Sequence, residues 1–347
     1  MGTISVILPC YNVSQYLERS IGSVLRQTRR ADEIIAADDC SRDDTVAMLK
    51  RFGSPVQVLT SAKNEGPAAR RNDAIRQSTG DYIALLDPDD WWTDDHLELV
   101  AELLDRFPEA GVAYSKVFLA GDASGSWPGF CMAATTPEDH LFTMMRNPVI
   151  QASSVVFRRS LFERSGPFVD CIEIQGGKKT YGWGGDYEWL LRAAALMPFA
   201  CCDQPTAYYF IRPGEKWPSP EKLTQIHRYR LSAMRWIREK VHPRGGEFWR
   251  SLEDRHRLAW EEDLERTWSR RELYGLGGMC RFGLGVAHLR RSTLRYVHRA
   301  WLGKWIPMGR KNGPHAKGGA SGATYSGECR SASGGGLRDG IVGGRDE

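Results

Sequence analysis

Four short apolar runs constrain this chain more than anything else in it. They are Ile4 to Leu8, Glu33 to Ala37, Val56 to Leu59 and Tyr82 to Leu86, all read as strands, the first of them fit to be covered on both faces. Between them lie segments of helical period. Tyr16, Leu17, Ile21, Val24 and Leu25 form the first, Val46, Leu49 and Phe52 the second, and the Ala- and Arg-rich stretch from Pro67 to Ser78 the third. Strand-helix units of this length predict an α/β fold, a Rossmann-like and mainly parallel sheet with flanking helices. Such sheets bind ligands at the carboxyl ends of their strands. Asp38-Asp39 follows the second run there, and Asp87-Pro88-Asp89-Asp90 follows the fourth. No GxGxxG follows any of the runs, which excludes a dinucleotide fingerprint.

The chain has 347 residues, enough for two domains. No apolar run approaches the roughly 18–20 residues of a membrane-spanning helix, and the start, Met1 to Pro9, lacks the pattern of a signal peptide. Eight cysteines show no CxxC spacing, and the vicinal Cys201-Cys202 pair is poorly placed for an ordinary disulfide. Reduced thiols in a cytoplasmic protein, with no zinc site, are expected.

Charge is uneven along the chain. Residues 1–220 carry a net charge of −7, and Glu221 to Arg310 a net of +10. Ile226, Tyr229, Met234, Trp236 and Ile237 predict one helix beyond Pro218, and Phe248 to Leu273 another. The interval 275–310 reads as a basic amphipathic helix suited either to an anionic membrane surface or to packing on the body of the protein. Nothing resembles a base-reading module, so nucleic acid is not an expected partner. From about Gly313 the composition turns Gly/Ser-rich and predicts a disordered tail.

Three carboxylates within four residues at a strand end repel one another unless a cation sits among them. Their hard oxygens suit Mg2+ or Mn2+, which also bridge to diphosphate oxygens. A solvated turn capping the next helix is the competing reading, and Asp94-Asp95 before His96 fits that role. Spacing alone leaves both open. Arg158 and Arg159 read as solvated charges at a strand end.

The ordered motifs are more specific. They run from Val6-Ile7-Leu8-Pro9-Cys10-Tyr11-Asn12 through Ser23-Val24-Leu25-Arg26-Gln27-Thr28 to Asp38-Asp39-Cys40-Ser41-Arg42-Asp43-Asp44-Thr45. Asn64-Glu65-Gly66-Pro67-Ala68-Ala69-Arg70-Arg71-Asn72 and Gly80-Asp81-Tyr82-Ile83-Ala84-Leu85-Leu86-Asp87-Pro88-Asp89-Asp90 follow. Ser153-Ser154-Val155-Val156-Phe157-Arg158-Arg159 and Gly185-Asp186-Tyr187-Glu188-Trp189-Leu190-Leu191-Arg192 complete the series. Over about residues 3–215 the chain resembles the inverting family-2 glycosyltransferases with the A-type (GT-A) fold.

That resemblance implies roles. Asp39 would accept the N3–H of a uracil, with Pro9, Tyr11 and Asn12 lining the same base pocket. Arg71 would face the diphosphate, Asp87 would contact ribose or metal, and Asp89 would be the more direct ligand of Mn2+ or Mg2+. Asp186 would be the general base. Glu188, two residues on, lies on another helix face, so only one of the two should serve. Arg192 would orient the helix or the base, and Trp183 in its glycine-rich loop would stack on a sugar. The chain departs from the family at Gly185, where an acid is common, and at Arg212, where many members have histidine. A guanidinium cannot ligate a metal but can pair with phosphate. The implied layout is a nucleotide-sugar half over 1–105, an acceptor half with the base over 106–218, a basic helical extension over 219–312 and a tail over 313–347. The implied function is transfer of one sugar from a UDP-sugar to a glycan or lipid-linked glycan acceptor in cell-envelope polysaccharide biosynthesis, at the cytoplasmic face of a membrane. A polyprenyl-phosphate sugar synthase and a catalytically silent sugar-nucleotide binder are the alternatives.

Overall fold

The computed structural model describes residues 1–121, 125–127, 137–146, 150–170, 172–175, 178–181, 184–213, 220–241 and 245–269. Trp183, the basic stretch 275–310 and the tail lie outside the described residues. In the first third, β1 (Ile4–Cys10), α1 (Ser14–Leu25), β2 (Glu33–Asp38), α2 (Thr45–Arg51), β3 (Val56–Thr60), α3 (Pro67–Gln77) and β4 (Tyr82–Leu85) alternate as expected. The short β5 (Trp91–Trp92) and α4 (His96–Arg106) follow. The second part contains β6 (Val112–Gly121), β7 (Gly125–Trp127), α5 (Pro137–Arg146), β8 (Val155–Arg158) and α6 (Arg159–Ser165). It continues with β9 (Ile172–Gln175), β10 (Lys178–Tyr181), α7 (Gly185–Ala194) and β11 (Phe199–Ile211). Two long helices, α8 (Pro220–Lys240) and α9 (Gly246–Ser269), stand where the sequence predicts a helical extension.

The main sheet runs β3-β2-β1-β4-β8-β6-β11-β5, with β7 paired to β6. Its first four strands are parallel. β8 then enters antiparallel to both β4 and β6, and β11 restores a parallel pair with β6. Each apolar run of the first half supplies both faces of the sheet. Ile7, Ile35, Ile83 and Leu85 enter one core, while Val6, Leu8, Ile34 and Ala84 enter the other. In α1, Leu17, Ile21 and Val24 are buried, but Leu25 at the helix end is exposed and Tyr16 turns toward Phe210.

Two polar readings of the sequence need correction. Arg158 and Arg159 are not solvated. Arg158 donates to the carbonyls of Ala110, Leu104 and Phe107, and Arg159 to those of Gly80 and Ile75 and to Ser78 Oγ. Each guanidinium thereby binds backbone carbonyls at and just beyond a helix end. Asp95 does occupy the cap position of α4, but its side chain makes no capping bond. It accepts the Thr93 hydroxyl at 2.6 Å, and Asp94 pairs with Arg26.

Glu33 knits β1, β2 and the entry to β4 together. Its carboxylate accepts the Ser5 hydroxyl at 2.6 Å and the backbone N–H groups of Thr79 and Gly80. Burial alone would push its carboxyl up, yet these donors outweigh it and hold the group below the usual carboxylate range. A depressed folded-state value stabilises the protein above the unfolded-state value and is lost as pH falls through the folded one. Urea midpoints measured across roughly pH 3 to 6 should therefore fall more steeply on acidification in the wild type than in Glu33→Gln.

Candidate active site

At the carboxyl end of β4 the chain turns through Asp87, Pro88, Asp89 and Asp90, and each carboxylate has its own partner. Asp87 accepts from Arg71 Nη2 of α3 at 2.6 Å. Asp89 Oδ2 accepts from both Nε and Nη2 of Arg212, just beyond β11, at 2.9 and 2.7 Å. Asp90 is buried and accepts the Ser153 hydroxyl at 2.5 Å and the Phe210 backbone N–H at 2.8 Å. Ser153 Oγ also accepts the Asp87 N–H at 3.0 Å, so one hydroxyl spans the turn. Burial and the neighbouring carboxylates push Asp90 well above the usual range. Burial and Asp87 also push Asp89 up, against the pull of Arg212.

A cleft of about 520 Å3 opens at this turn, and Pro9, Tyr11, Arg71, Asp87, Asp89 and Arg212 line it. All six are residues that the sequence singles out. Three others stand apart from its wall. Asn12, in the left-handed region at φ 51°, uses its side-chain oxygen to accept the Arg42 N–H at 2.8 Å, shaping the loops after β1 and β2. Asp39 is buried, and its two oxygens accept the N–H groups of Glu65 and Gly66 at 2.9 and 2.8 Å. Burial pushes its carboxyl up, opposed by those donors and by Arg70. Arg70 is itself buried against Asp39, Glu65 and Asp73 and is no solvated face. Asp186 begins α7, half-buried, with Arg71 and Asp87 as its charged neighbours. Burial and Asp87 raise its carboxyl above the usual range while Arg71 opposes them.

The family described as "Glycosyl transferase family 2" matches residues 5–166. Over those residues the chain matches the family-2 glycosyltransferases. A glycosyltransferase of Bacillus subtilis named for teichuronic acid biosynthesis, TuaG, is 38% identical over 104 residues, covering 29% of this chain and 41% of the relative. The Escherichia coli enzyme WfgD, named UDP-Glc:alpha-D-GlcNAc-diphosphoundecaprenol beta-1,3-glucosyltransferase, is 36% identical over 102 residues, covering 29% of this chain and 40% of the relative. The chain thus spans about two fifths of the length of these relatives. Among solved structures, TarS 1-349 of S. aureus in complex with UDP-GlcNAc superposes with a TM-score of 0.60 at 19% identity, over 86% of this chain and 87% of that one. A mannosyltransferase from Pyrobaculum calidifontis, in complex with GDP-Man and Mn2+, gives 0.51 at 16% identity, over 88% and 81%. The shared fold is the A-type glycosyltransferase fold that the motifs imply.

Beyond the matched residues, Asp186 and Glu188 separate on α7 as helix geometry requires. Glu188 is buried on the far side of α7, held by Arg192 at 2.8 Å and by the Ser232 hydroxyl of α8 at 3.2 Å. Glu188 therefore belongs to an internal ion pair and does not share the role read for Asp186 or face an acceptor. Arg192 continues to the carbonyls of Ser165 and Pro167, tying α7 to the loop after α6 without touching Asp186. Tyr187, next to Asp186, donates to the Met144 carbonyl at 2.6 Å and accepts from Arg230 Nε at 3.0 Å. The helix bearing Asp186 is thus fixed from behind by α5 and α8.

Two contributors escaped the sequence reading. Ser153 carries no chemical signature of its own, although it stands in a quoted motif. Asp170 carries none either, an isolated acid in a loop. One of its oxygens accepts the Ala68 N–H at the start of α3 at 3.1 Å, and the other is buried with no hydrogen-bond partner among the described residues. Burial, with smaller pushes from Asp186 and Asp39 and against the pull of Arg71, brings its carboxyl up to about 6.

Gly185 has a steric reason. A Cβ there would stand 2.5 Å from the Val169 carbonyl oxygen and 3.3 Å from Asp170 Oδ1. The preceding Gly184 caps α7 at φ 101°, in the left-handed region. Gly185→Ala must displace α7 or the 169–170 backbone. Denaturant titration should register a loss of about 1–3 kcal/mol, whereas an unchanged midpoint would show that the contact yields freely.

Proposed function

We propose that this chain transfers a single sugar from a nucleoside-diphosphate sugar, with UDP favoured as the nucleotide, to a hydroxyl of a glycan or lipid-linked glycan, inverting the anomeric centre. The observation that carries this reading is the convergence of two arginines and two strand-end carboxylates on one cleft, with the half-buried Asp186 close to Arg71 and Asp87. TarS has been solved with UDP and UDP-GlcNAc, and WfgD is named for a UDP-Glc donor, which supports the choice of base. The names of WfgD and TuaG support a cell-envelope glycan as acceptor.

The residues present fit a divalent cation. Asp87 and Asp89 offer two hard carboxylates at one turn. No group of three or more His, Cys, Asp or Glu side chains placed for a metal occurs among the described residues, so the diphosphate would supply the remaining oxygens. Asp89 would hold Mn2+ or Mg2+ with help from Asp87. Bound there, the ion supplies Lewis-acid stabilisation of the diphosphate leaving group. The remaining roles fall to the chain. Asp186 takes the proton of the acceptor hydroxyl, the freed oxygen bonds to the anomeric carbon, and the bond to the diphosphate oxygen breaks on the opposite face. General-base help of this kind contributes about 10²–10⁴-fold. Arg71 and Arg212 receive the charge that builds on the diphosphate. Asp39, Pro9, Tyr11 and Asn12 are assigned to the base and ribose end, and Trp183 to the sugar. The basic stretch 275–310 would seat the domain on an anionic membrane surface, where lipid-linked acceptors reside.

Calorimetric titration with UDP, GDP, CDP and dTDP, with and without Mn2+, tests the donor. Metal-dependent UDP binding that is lost in Asp89→Ala is the expected result. Preference for another base would reject the assignment at Asp39, and binding of none would reject the reading. Asp186→Asn should abolish transfer yet bind nucleotide normally, so unchanged turnover would remove Asp186 as the base. Because Asp186 must be ionised and its value is raised, activity should fall with acidification in a limb lying above the ~3.9 of a free aspartate.

A further inference from the structure

Four charged groups at the cleft make two ion pairs. Asp87 is held by Arg71 and Asp89 by Arg212, so two negative charges meet two positive ones. A divalent cation alone would leave the set with an excess of two positive charges. A nucleoside diphosphate alone would bring about three negative ones at neutral pH. Together they nearly cancel, so each ligand makes the site hospitable to the other.

The two arginines differ in freedom. Arg71 is buried, with its side chain 6% exposed and its guanidinium 5.9 Å from the Phe168 ring centre. Arg212 is half exposed at 52%, lies just past the end of β11, and rests 5.6 Å from the ring centre of Tyr16. Its Nε and Nη2 both converge on one carboxylate oxygen, Asp89 Oδ2, where a cation would also bind. We propose that Arg212 is an exchangeable stand-in for the cation: it neutralises Asp89 in the empty site and passes to the diphosphate when nucleotide and metal enter together. This rests on the donor reading above and adds an order to it, because a free cation must compete with a tethered guanidinium until a diphosphate draws that guanidinium away.

Coupling of this kind is reciprocal and typically amounts to about 5- to 150-fold. Mn2+ binding to the full chain, read by electron paramagnetic resonance of the free ion, is the direct measurement. In the wild type, UDP should tighten Mn2+ about tenfold or more, and calorimetry should show Mn2+ tightening UDP by the same factor. In Arg212→Gln, Mn2+ should bind the nucleotide-free protein about tenfold tighter than in the wild type, and the effect of UDP should shrink. Arg19→Gln provides the control. Arg19 lies 3.7 Å from the centre of the Trp91 ring and donates to the Asp89 backbone carbonyl at 3.2 Å, so its loss removes the same charge without freeing the Asp89 carboxylate. Equal tightening in both variants would mean a diffuse charge effect and overturn the exchange. So would an unchanged Mn2+ affinity in Arg212→Gln with normal UDP binding. Failure of the wild type to bind any nucleoside diphosphate would instead overturn the donor reading, and with it the diphosphate half of the exchange.

Discussion

Mutual repulsion among Asp87, Asp89 and Asp90 is the constraint around which the rest of the site is built. A turn with three acids in four residues closes only if each carboxyl finds a partner, and each finds one from a different part of the chain. Arg71 comes from a helix of the parallel half, Ser153 from the short 3-10 turn before β8, and Arg212 and the Phe210 amide from the end of β11. The turn is consequently a junction at which the parallel and antiparallel halves of the sheet are fastened. Trp92 reinforces it, since its indole N–H donates to the Ser153 carbonyl at 2.6 Å. Binding chemistry and tertiary closure thus use the same carboxylates.

The first half of the fold was legible because β1, β2 and β4 are covered on both sides, with only the edge strand β3 partly exposed. Runs such as Ile4 to Leu8 have no polar face to hide, and the acids that end them stand out against that background. The helix carrying Asp186 was legible only through the family resemblance, and helix geometry then foretold that Asp186 and Glu188 would part. What stayed hidden was partnership across distance. A guanidinium such as Arg158 looks the same in sequence whether it faces water or three helix-end carbonyls, because its partners lie about fifty residues away. The antiparallel entry of β8 was equally silent, for Val155 to Phe157 suits either direction. Asp39 was found for its position, but not its burial or its grip on the Glu65-Gly66 turn.

The candidate base illustrates how a reactive group can be held without being touched. No side chain is seen orienting the Asp186 carboxylate through a direct hydrogen bond among the described residues. Its helix is fixed instead through Glu188, Arg192, Tyr187 and Arg230, all directed into the interior. Precision is delegated to a buried polar frame on the opposite face, which satisfies its own donors and acceptors and leaves the outer face open for a substrate.

The crowding at Gly185 also bears on mutational history. A glycine codon becomes an aspartate or glutamate codon by a single base change, so an acid at this position is always one step away. The Val169 carbonyl stands where the new side chain would begin. Such a mutation would survive only after the 169–170 backbone had shifted, and that shift would itself disturb the Asp170 contact to α3. The two changes must come in order, and the first is costly by itself. The 169–170 backbone therefore stands against any side chain at position 185.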